Sequence, residues 1–242
     1  MLLVLLDANL NETQWKSILA ILESYLLRRA VLGWTTKSYN RIFLNLARVL
    51  RTAGTSPEIL RVTLSGLSGE SSAWPTDAQF SEAWLNGNAY ELTSPKVVHI
   101  LRRVGEERLT NLSERITIDS PLAVEHIMPQ NWLEKWTLPS GEKGLSGTEL
   151  WEAKPDDSKA VATKRRSDLV QTFGNLTLVT QALNSTVSNS AWITKRPALM
   201  SASLLPINQQ LHEHVTWDEE AIQKRGKDLL NKALKLWLGP SL

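Results

Sequence analysis

Glu125-His126-Ile127-Met128-Pro129-Gln130 closes one β-prone stretch, and Gly174-Asn175-Leu176-Thr177-Leu178 opens another. Ile116 to Ile127 is β-prone and broken by Pro121, and Asn175 to Val179 alternates as a short strand. Helical sequence is expected to resume after Asn184. Residues 131–173 form a long connection with a helix of their own, from about Asp157 to Val170. Strand, long excursion, strand, helix is an uncommon local order, and it surrounds the residues with most chemical potential.

Upstream, the pattern is helical and clearly punctuated. Asn11 can cap a helix whose apolar positions Trp15, Ile18, Leu19, Leu22, Tyr25 and Leu26 share one stripe, and Gly33 suits its end. Tyr39, Ile42, Phe43, Leu46 and Leu50 continue the pattern to Gly54. Ser56-Pro57 and Ser94-Pro95 each place a cap before a proline, and Thr76-x-x-Gln79 resembles a capping box. Five helices fit residues 11–108. Downstream, Thr216-x-x-Glu219 is the expected cap of a last helix carrying Ile222, Leu229, Leu230, Ala233, Leu236 and Trp237.

The chain has 242 residues, 42% of them hydrophobic and 21% charged, which is the balance of a folded chain rather than a disordered one. With no cysteine, thiolate metal sites and a cysteine nucleophile are excluded, and a bound metal would be a hard one held by oxygen or imidazole. The apolar opening Met1 to Leu6 falls short of the roughly 7–15 residues of a signal-peptide core, and no run approaches the roughly 18 that span a bilayer. An intracellular, cytoplasmic protein with no membrane partner is expected. No glycine run carries the Gly-Lys-Ser/Thr of a phosphate-binding loop.

The net charge of +2 says little, but its distribution says more. In residues 158–200, Lys159, Lys164, Arg165, Arg166, Lys195 and Arg196 face Asp168 alone. Such a run is either a solvated helix face or a phosphate-binding surface. His126 follows a carboxylate directly, and neighbouring side chains on a strand point to opposite faces. A twist or bulge near Pro129 would be needed for Glu125 and His126 to address one ligand.

A Glu-His pair on one strand, an asparagine opening the next, and Asn184 nine residues later at the start of a helix together resemble the ββα-metal, or HNH, nuclease pattern. The nine-residue spacing also resembles that of the HNH domain of RNA-guided CRISPR nucleases. Phe-Gly-Asn-Leu-Thr-Leu-Val-Thr and Asn184-x-x-x-Ser188-Asn189-x-x-Trp192-x-x-Lys195 narrow this. They resemble the C-terminal nuclease domain of GmrSD-type modification-dependent (type IV) restriction enzymes, a group that includes phage defence linked to phosphorothioated DNA. Arg28-Arg29, Trp74-Pro75 and the final helix from Trp217 to Trp237 extend the likeness. The family's N-terminal nucleotide-binding and sensing domain has no counterpart here, so the chain resembles a C-terminal fragment.

The resemblance implies a mainly α fold with a small embedded ββα-metal (HNH) motif. It divides the chain into a helical region 1–113, a nuclease core 114–200 with a long inter-strand insertion, and a C-terminal helix in 201–242 packing on the helical region. It also implies a DNA endonuclease using Mg²⁺ or Mn²⁺ on double-stranded, phage-derived DNA and leaving 5′-phosphate and 3′-hydroxyl ends. His126 would be the general base, Glu125 and Asn184 the metal's oxygen ligands, and Asn175 the residue holding His126 through a hydrogen bond across the loop. Lys195 joins the catalytic set and, with Lys164, Arg165, Arg166, Asn189 and Arg196, would contact nucleic acid. Each assignment has a plainer counterpart: a surface carboxylate at Glu125, a helix cap at Asn184, and a polar helix face at Asn189 and Lys195. His212-x-His214 lacks a third ligand by spacing, and the ten tryptophans are expected mostly in packing rather than on bases. An inactive HNH-derived DNA-binding or protein-interaction module is the competing function.

Overall fold

The computed structural model describes residues 1–109, 113, 118–187 and 189–240; Ile116 and Ser188 lie outside the described residues. Among the described residues the fold is mainly helical, 62% helix with one two-stranded sheet. Before the sheet come α1 (Leu2–Leu6), α2 (Glu12–Val31), α3 (Tyr39–Ala53), α4 (Pro57–Ser65), α5 (Asp77–Asn86) and α6 (Ser94–Glu106). Strand β1 (Leu122–His126) is separated from β2 (Leu176–Thr180) by α7 (Gly147–Glu152) and α8 (Ser158–Val170). The chain ends with α9 (Gln181–Val187), α10 (Trp192–Ala202), α11 (Pro206–Gln209) and α12 (Glu219–Leu236).

Two compact units divide the chain: Met1–Ala83 with Ala233–Leu242, and Trp84–Lys232. The sequence divisions at 113/114 and 200/201 both fall inside the second unit. In the first unit, Asn11 caps α2 in a reciprocal box with Gln14, and Gly33 follows that helix at φ +66°, a conformation glycine adopts without a Cβ penalty. Ile18, Leu22, Tyr25, Ile42, Leu46, Leu50, Leu60 and Leu64 form the core between α2, α3 and α4. Arg28 is buried, yet its guanidinium is satisfied by the carbonyls of Trp237 (2.8 Å) and Pro75 (3.1 Å) and by Asp77 (2.6 Å). Arg29 donates to the carbonyls of Ala73 and Thr35, both at 2.7 Å. The paired arginines thus clip the Ala73–Asp77 segment through its carbonyls and the Asp77 carboxylate, which accounts for their charge in an otherwise apolar core.

In the second unit β1 and β2 run antiparallel in unbroken register, Glu125 opposite Thr177 and His126 opposite Leu176. Leu176 to Val179 are buried on both faces, because α6, α9 and α11 pack against β2. Asn208 of α11 accepts from the Thr177 hydroxyl and donates to the Leu178 carbonyl (2.8 Å), pinning the strand laterally. Phe173 stacks on Trp84 at 4.0 Å between ring centroids. Gly174 lies so close to α12 that a Cβ there would sit 2.2 Å from the Ile222 carbonyl oxygen. Only glycine permits that approach.

Three helix starts differ from expectation. Thr93, not Ser94, is the N-cap of α6. At α12 the Asp218 carboxylate accepts from the Ala221 N–H (2.9 Å), so Asp218 caps the helix in place of Thr216, and Glu219 is free for another role. Helix α9 begins three residues before Asn184, with the Thr180 hydroxyl accepting from the Leu183 N–H (3.4 Å). Asn184 is thus inside the helix rather than at its start.

Candidate active site

His126 ends β1, and its imidazole is buried between two groups from distant parts of the second unit. Its Nε2 lies 3.2 Å from Oε1 of Gln171, which follows α8, and its ring centroid lies 4.7 Å from that of Tyr90, in the 3-10 turn Ala89–Glu91. Burial pushes the imidazole down from 6.5 to about 4, an effect the hydrogen bond to Gln171 opposes. The ring is therefore neutral at neutral pH, the state in which it can accept a proton.

Glu125, one residue earlier, turns the other way, as strand alternation requires. Its Oε1 lies 2.5 Å from Lys195 Nζ, and the same ammonium donates to the His126 carbonyl at 2.6 Å. Burial raises the Glu125 carboxyl and lowers the Lys195 ammonium, while each partner's charge works against its own shift. Glu125 and His126 side chains thus have separate partners on an unbulged strand. The position they share is the strand end itself, which Lys195 holds through both a side chain and a carbonyl.

Asn175 is fully buried and uses its whole amide. Its Oδ1 accepts from Met128 N–H (2.8 Å) and Trp217 Nε1–H (3.0 Å), and its Nδ2 donates to the carbonyls of Met128 (2.8 Å) and Val170 (3.0 Å). With the Ile127 N–H donating to the Asn175 carbonyl (2.9 Å), the loop after His126 is sewn to the start of β2. Asn175 acts on the backbone beyond His126 and does not touch its ring, so its place is to position the loop.

The basic run divides. Lys164 and Arg165 are exposed on α8 and line a groove of about 690 Å³ together with Asn86, Asn88 and Gln171, so the groove reaches the residue that touches His126. Arg166 faces inward, its Nε and Nη2 paired with both Glu219 oxygens (2.7 and 2.9 Å) and its Nη1 with the Thr137 carbonyl (2.5 Å). Buried and engaged through all three nitrogens, it is not placed to hold a phosphate. Arg196 is half-buried and donates to the His212 carbonyl (2.9 Å), while Asn189 is exposed in the turn between α9 and α10. Asn184 is half-buried in the middle of α9, which packs on both strands. Seven tryptophans are buried in the packing, whereas Trp151 on α7 is 88% exposed.

Glu125 and Asn184 would present a carboxylate and an amide oxygen, the hard donors that magnesium accepts. The Lys195 ammonium, seated between the Glu125 carboxylate and the His126 carbonyl, marks a point where oxygens converge on positive charge. The Glu125 carboxylate is thus already engaged by a cation of the chain's own. No cluster of three or more His, Cys, Asp or Glu side chains forms among the described residues.

The family model for the C-terminal domain of GmrSD restriction endonucleases matches residues 74–232, well over half of the chain. The chain belongs to this family. The match spans both strands, the groove and His126, whereas Arg28 and Arg29 lie outside it. No curated protein and no solved structure matches the chain. In this GmrSD C-terminal domain, Tyr90 and Gln171 are the site residues that sequence reading missed. Neither belongs to a motif, since each reaches His126 from a turn or helix end remote in sequence. Gln130 was visible in the hexapeptide but carried no sign of its partner, Gln171.

Proposed function

We propose that this domain is an HNH-type, metal-dependent DNA endonuclease, the effector of a prokaryotic restriction or anti-phage protein. The observation that carries this reading is the buried, neutral His126 imidazole beside a groove lined by Lys164 and Arg165, in a chain of the restriction-endonuclease family. In the proposed reaction His126 takes the proton of the attacking water. Lys164 and Arg165 hold the backbone of the bound strand, and Asn175 keeps the His126 loop in register with β2. Glu125 and Asn184 would hold one Mg²⁺ or Mn²⁺, which when bound supplies charge stabilisation at the scissile phosphate. Products with 5′-phosphate and 3′-hydroxyl ends are expected.

The expected partners are double-stranded DNA of phage origin and an N-terminal nucleotide-binding, modification-sensing domain. The test is plasmid nicking with Mg²⁺, with EDTA, and with His126→Ala, alongside a labelled RNA. Cleavage of DNA that needs both metal and His126 is the expected result. One observation favours a second reading, an inactive HNH-derived binding module: the proposed ligand Glu125 is already neutralised by Lys195. Tight DNA binding with no nicking under any metal would select it.

A further inference from the structure

Gln171 meets His126 at one ring nitrogen, and the Gln130 amide meets Gln171 at the same atom. Its Oε1 lies 3.2 Å from His126 Nε2 and also accepts from Gln130 Nε2 at 3.1 Å. With the Gln130 amide donating, the Gln171 atom that faces His126 is the amide oxygen. Turning the Gln171 amide over alone would set its NH₂ against the NH₂ of Gln130, whereas turning both amides over together would keep their hydrogen bond and set an NH₂ against His126, the arrangement that an Nδ1–H tautomer would reveal. An amide oxygen has two lone pairs and no proton, so the His126 nitrogen facing it must be the donor.

We propose that Gln171 is the positioning residue of His126, holding the imidazole in its Nε2–H tautomer and so leaving the Nδ1 lone pair as the proton acceptor. The surrounding backbone suits the task. The Gln171 N–H donates to the Asp168 carbonyl (3.2 Å) at the end of α8, and its carbonyl accepts from Ala89 N–H (3.0 Å). Ala89 precedes Tyr90, whose ring lies on the imidazole. The two groups that touch the His126 ring are therefore tied to one another by a single backbone hydrogen bond, which fixes their placement about the ring. A neutral imidazole with the wrong nitrogen protonated is a poor base however well placed, as the tautomer role of a catalytic-triad aspartate illustrates.

What the Nδ1 lone pair does rests on the nuclease reading, whereas the tautomer itself does not, and the experiment separates them. Long-range ¹⁵N–¹H correlation spectra of the intact chain with ¹⁵N-labelled histidine report the tautomer directly, the His126 signals being assigned by their loss in His126→Gln. The wild type is expected to show Nε2–H, Gln171→Leu a mixture of tautomers, and Gln171→Glu, which retains an acceptor, the wild-type pattern. In plasmid nicking, Gln171→Leu is expected to lower kcat about tenfold or more with KM little changed, and Gln171→Glu to restore most of it. Should Gln171→Leu not fold, Gln130→Met, which removes the amide that orients Gln171, is expected to loosen the tautomer in the same sense. An Nδ1–H tautomer in the wild type, or an unaltered tautomer in folded Gln171→Leu, would overturn the proposal. A wild type that shows the expected tautomer series yet cuts no DNA would uphold the role of Gln171 and overturn the nuclease reading alone.

Discussion

Lys195 Nζ and Glu125 Oε1 lie 2.5 Å apart, joining α10 to the end of β1, with both side chains shielded from solvent. A buried ion pair of this kind is weak evidence for net stability, because taking both charges out of water offsets much of their attraction. Removing one partner is a different matter, since it strands the other charge. Lys195→Met is therefore expected to destabilise the chain by about 3–5 kcal/mol in urea unfolding, and the double variant Glu125→Gln/Lys195→Met to recover most of that loss. Additive effects of the two single changes would mean that the pair does not interact as its geometry implies.

The His126 imidazole gives a pH dependence of definite sign. Folded, it binds a proton only near pH 4, against an ordinary value of 6.5. The unfolded chain therefore binds more protons between those values, and the stability that His126 contributes is complete above about 6.5 and is lost as pH falls through about 4. The full difference is about 3 kcal/mol. Unfolding free energies of the wild type and His126→Gln, measured from pH 7.5 to 4, are expected to converge toward acid by about that amount. The raised carboxyl of Glu125 is present in both chains and cancels. Parallel curves would place His126 in water.

Lys164, Arg165 and Arg166 are consecutive in sequence and opposite in role. Replacing exposed Lys164 and Arg165 with glutamine is expected to leave the melt unchanged and to flatten the log–log salt dependence of DNA binding by about one unit for each phosphate no longer neutralised. Arg166→Gln breaks the buried bidentate pair with Glu219 and is expected to cost about 3–5 kcal/mol of stability. A salt slope indifferent to Lys164 and Arg165 would return them to the role of a solvated helix face.

Much of this arrangement was legible in the sequence, for reasons that differ by element. Caps and periodicity are local, so the five helices within residues 11–108, the helix from about Asp157 to Val170 and the two short strands could be read directly. The Phe-Gly-Asn-Leu run was legible as a motif but not as a mechanism of packing. What it requires of glycine, a helix axis passing over residue 174, comes from α12, some fifty residues away. Arg166 could not be told from Lys164, because its partner Glu219 looked like half of a capping box. The imidazole's neighbours were hidden for the same reason. Gln171 and Tyr90 have no pattern of their own until the fold brings a helix end and a turn to the end of β1.

Gly174 supplies a test of that packing. An added methyl would meet the backbone oxygen of Ile222 at 2.2 Å, and a backbone atom cannot swing aside as a side chain would. Gly174→Ala is expected to destabilise by about 1–3 kcal/mol or more, as overpacking does. Gly147→Ala, where a Cβ meets nothing within 4 Å, is expected to be nearly neutral. Equal melts for the two variants would contradict the close approach of α12.

Asn184 is the residue whose reading the structure changes most usefully. At the start of a helix its amide could have been a cap and nothing else, but the cap of α9 is the Thr180 hydroxyl, and Asn184 is the fourth residue of the helix. Alanine is the better helix former, so Asn184→Ala is expected to keep or raise stability by about 0.5 kcal/mol. Any loss of nicking in that variant is then not a folding defect. If its amide oxygen is a metal ligand, the Mn²⁺ concentration giving half-maximal nicking is expected to rise, with activity recovering at high Mn²⁺. Thr180→Ala is the complementary control: losing the cap costs about 1 kcal/mol and leaves the metal requirement where it was. A wild-type Mn²⁺ dependence in Asn184→Ala would remove Asn184 from the ligand set and leave Glu125, already held by Lys195, as the one protein oxygen assigned to the metal.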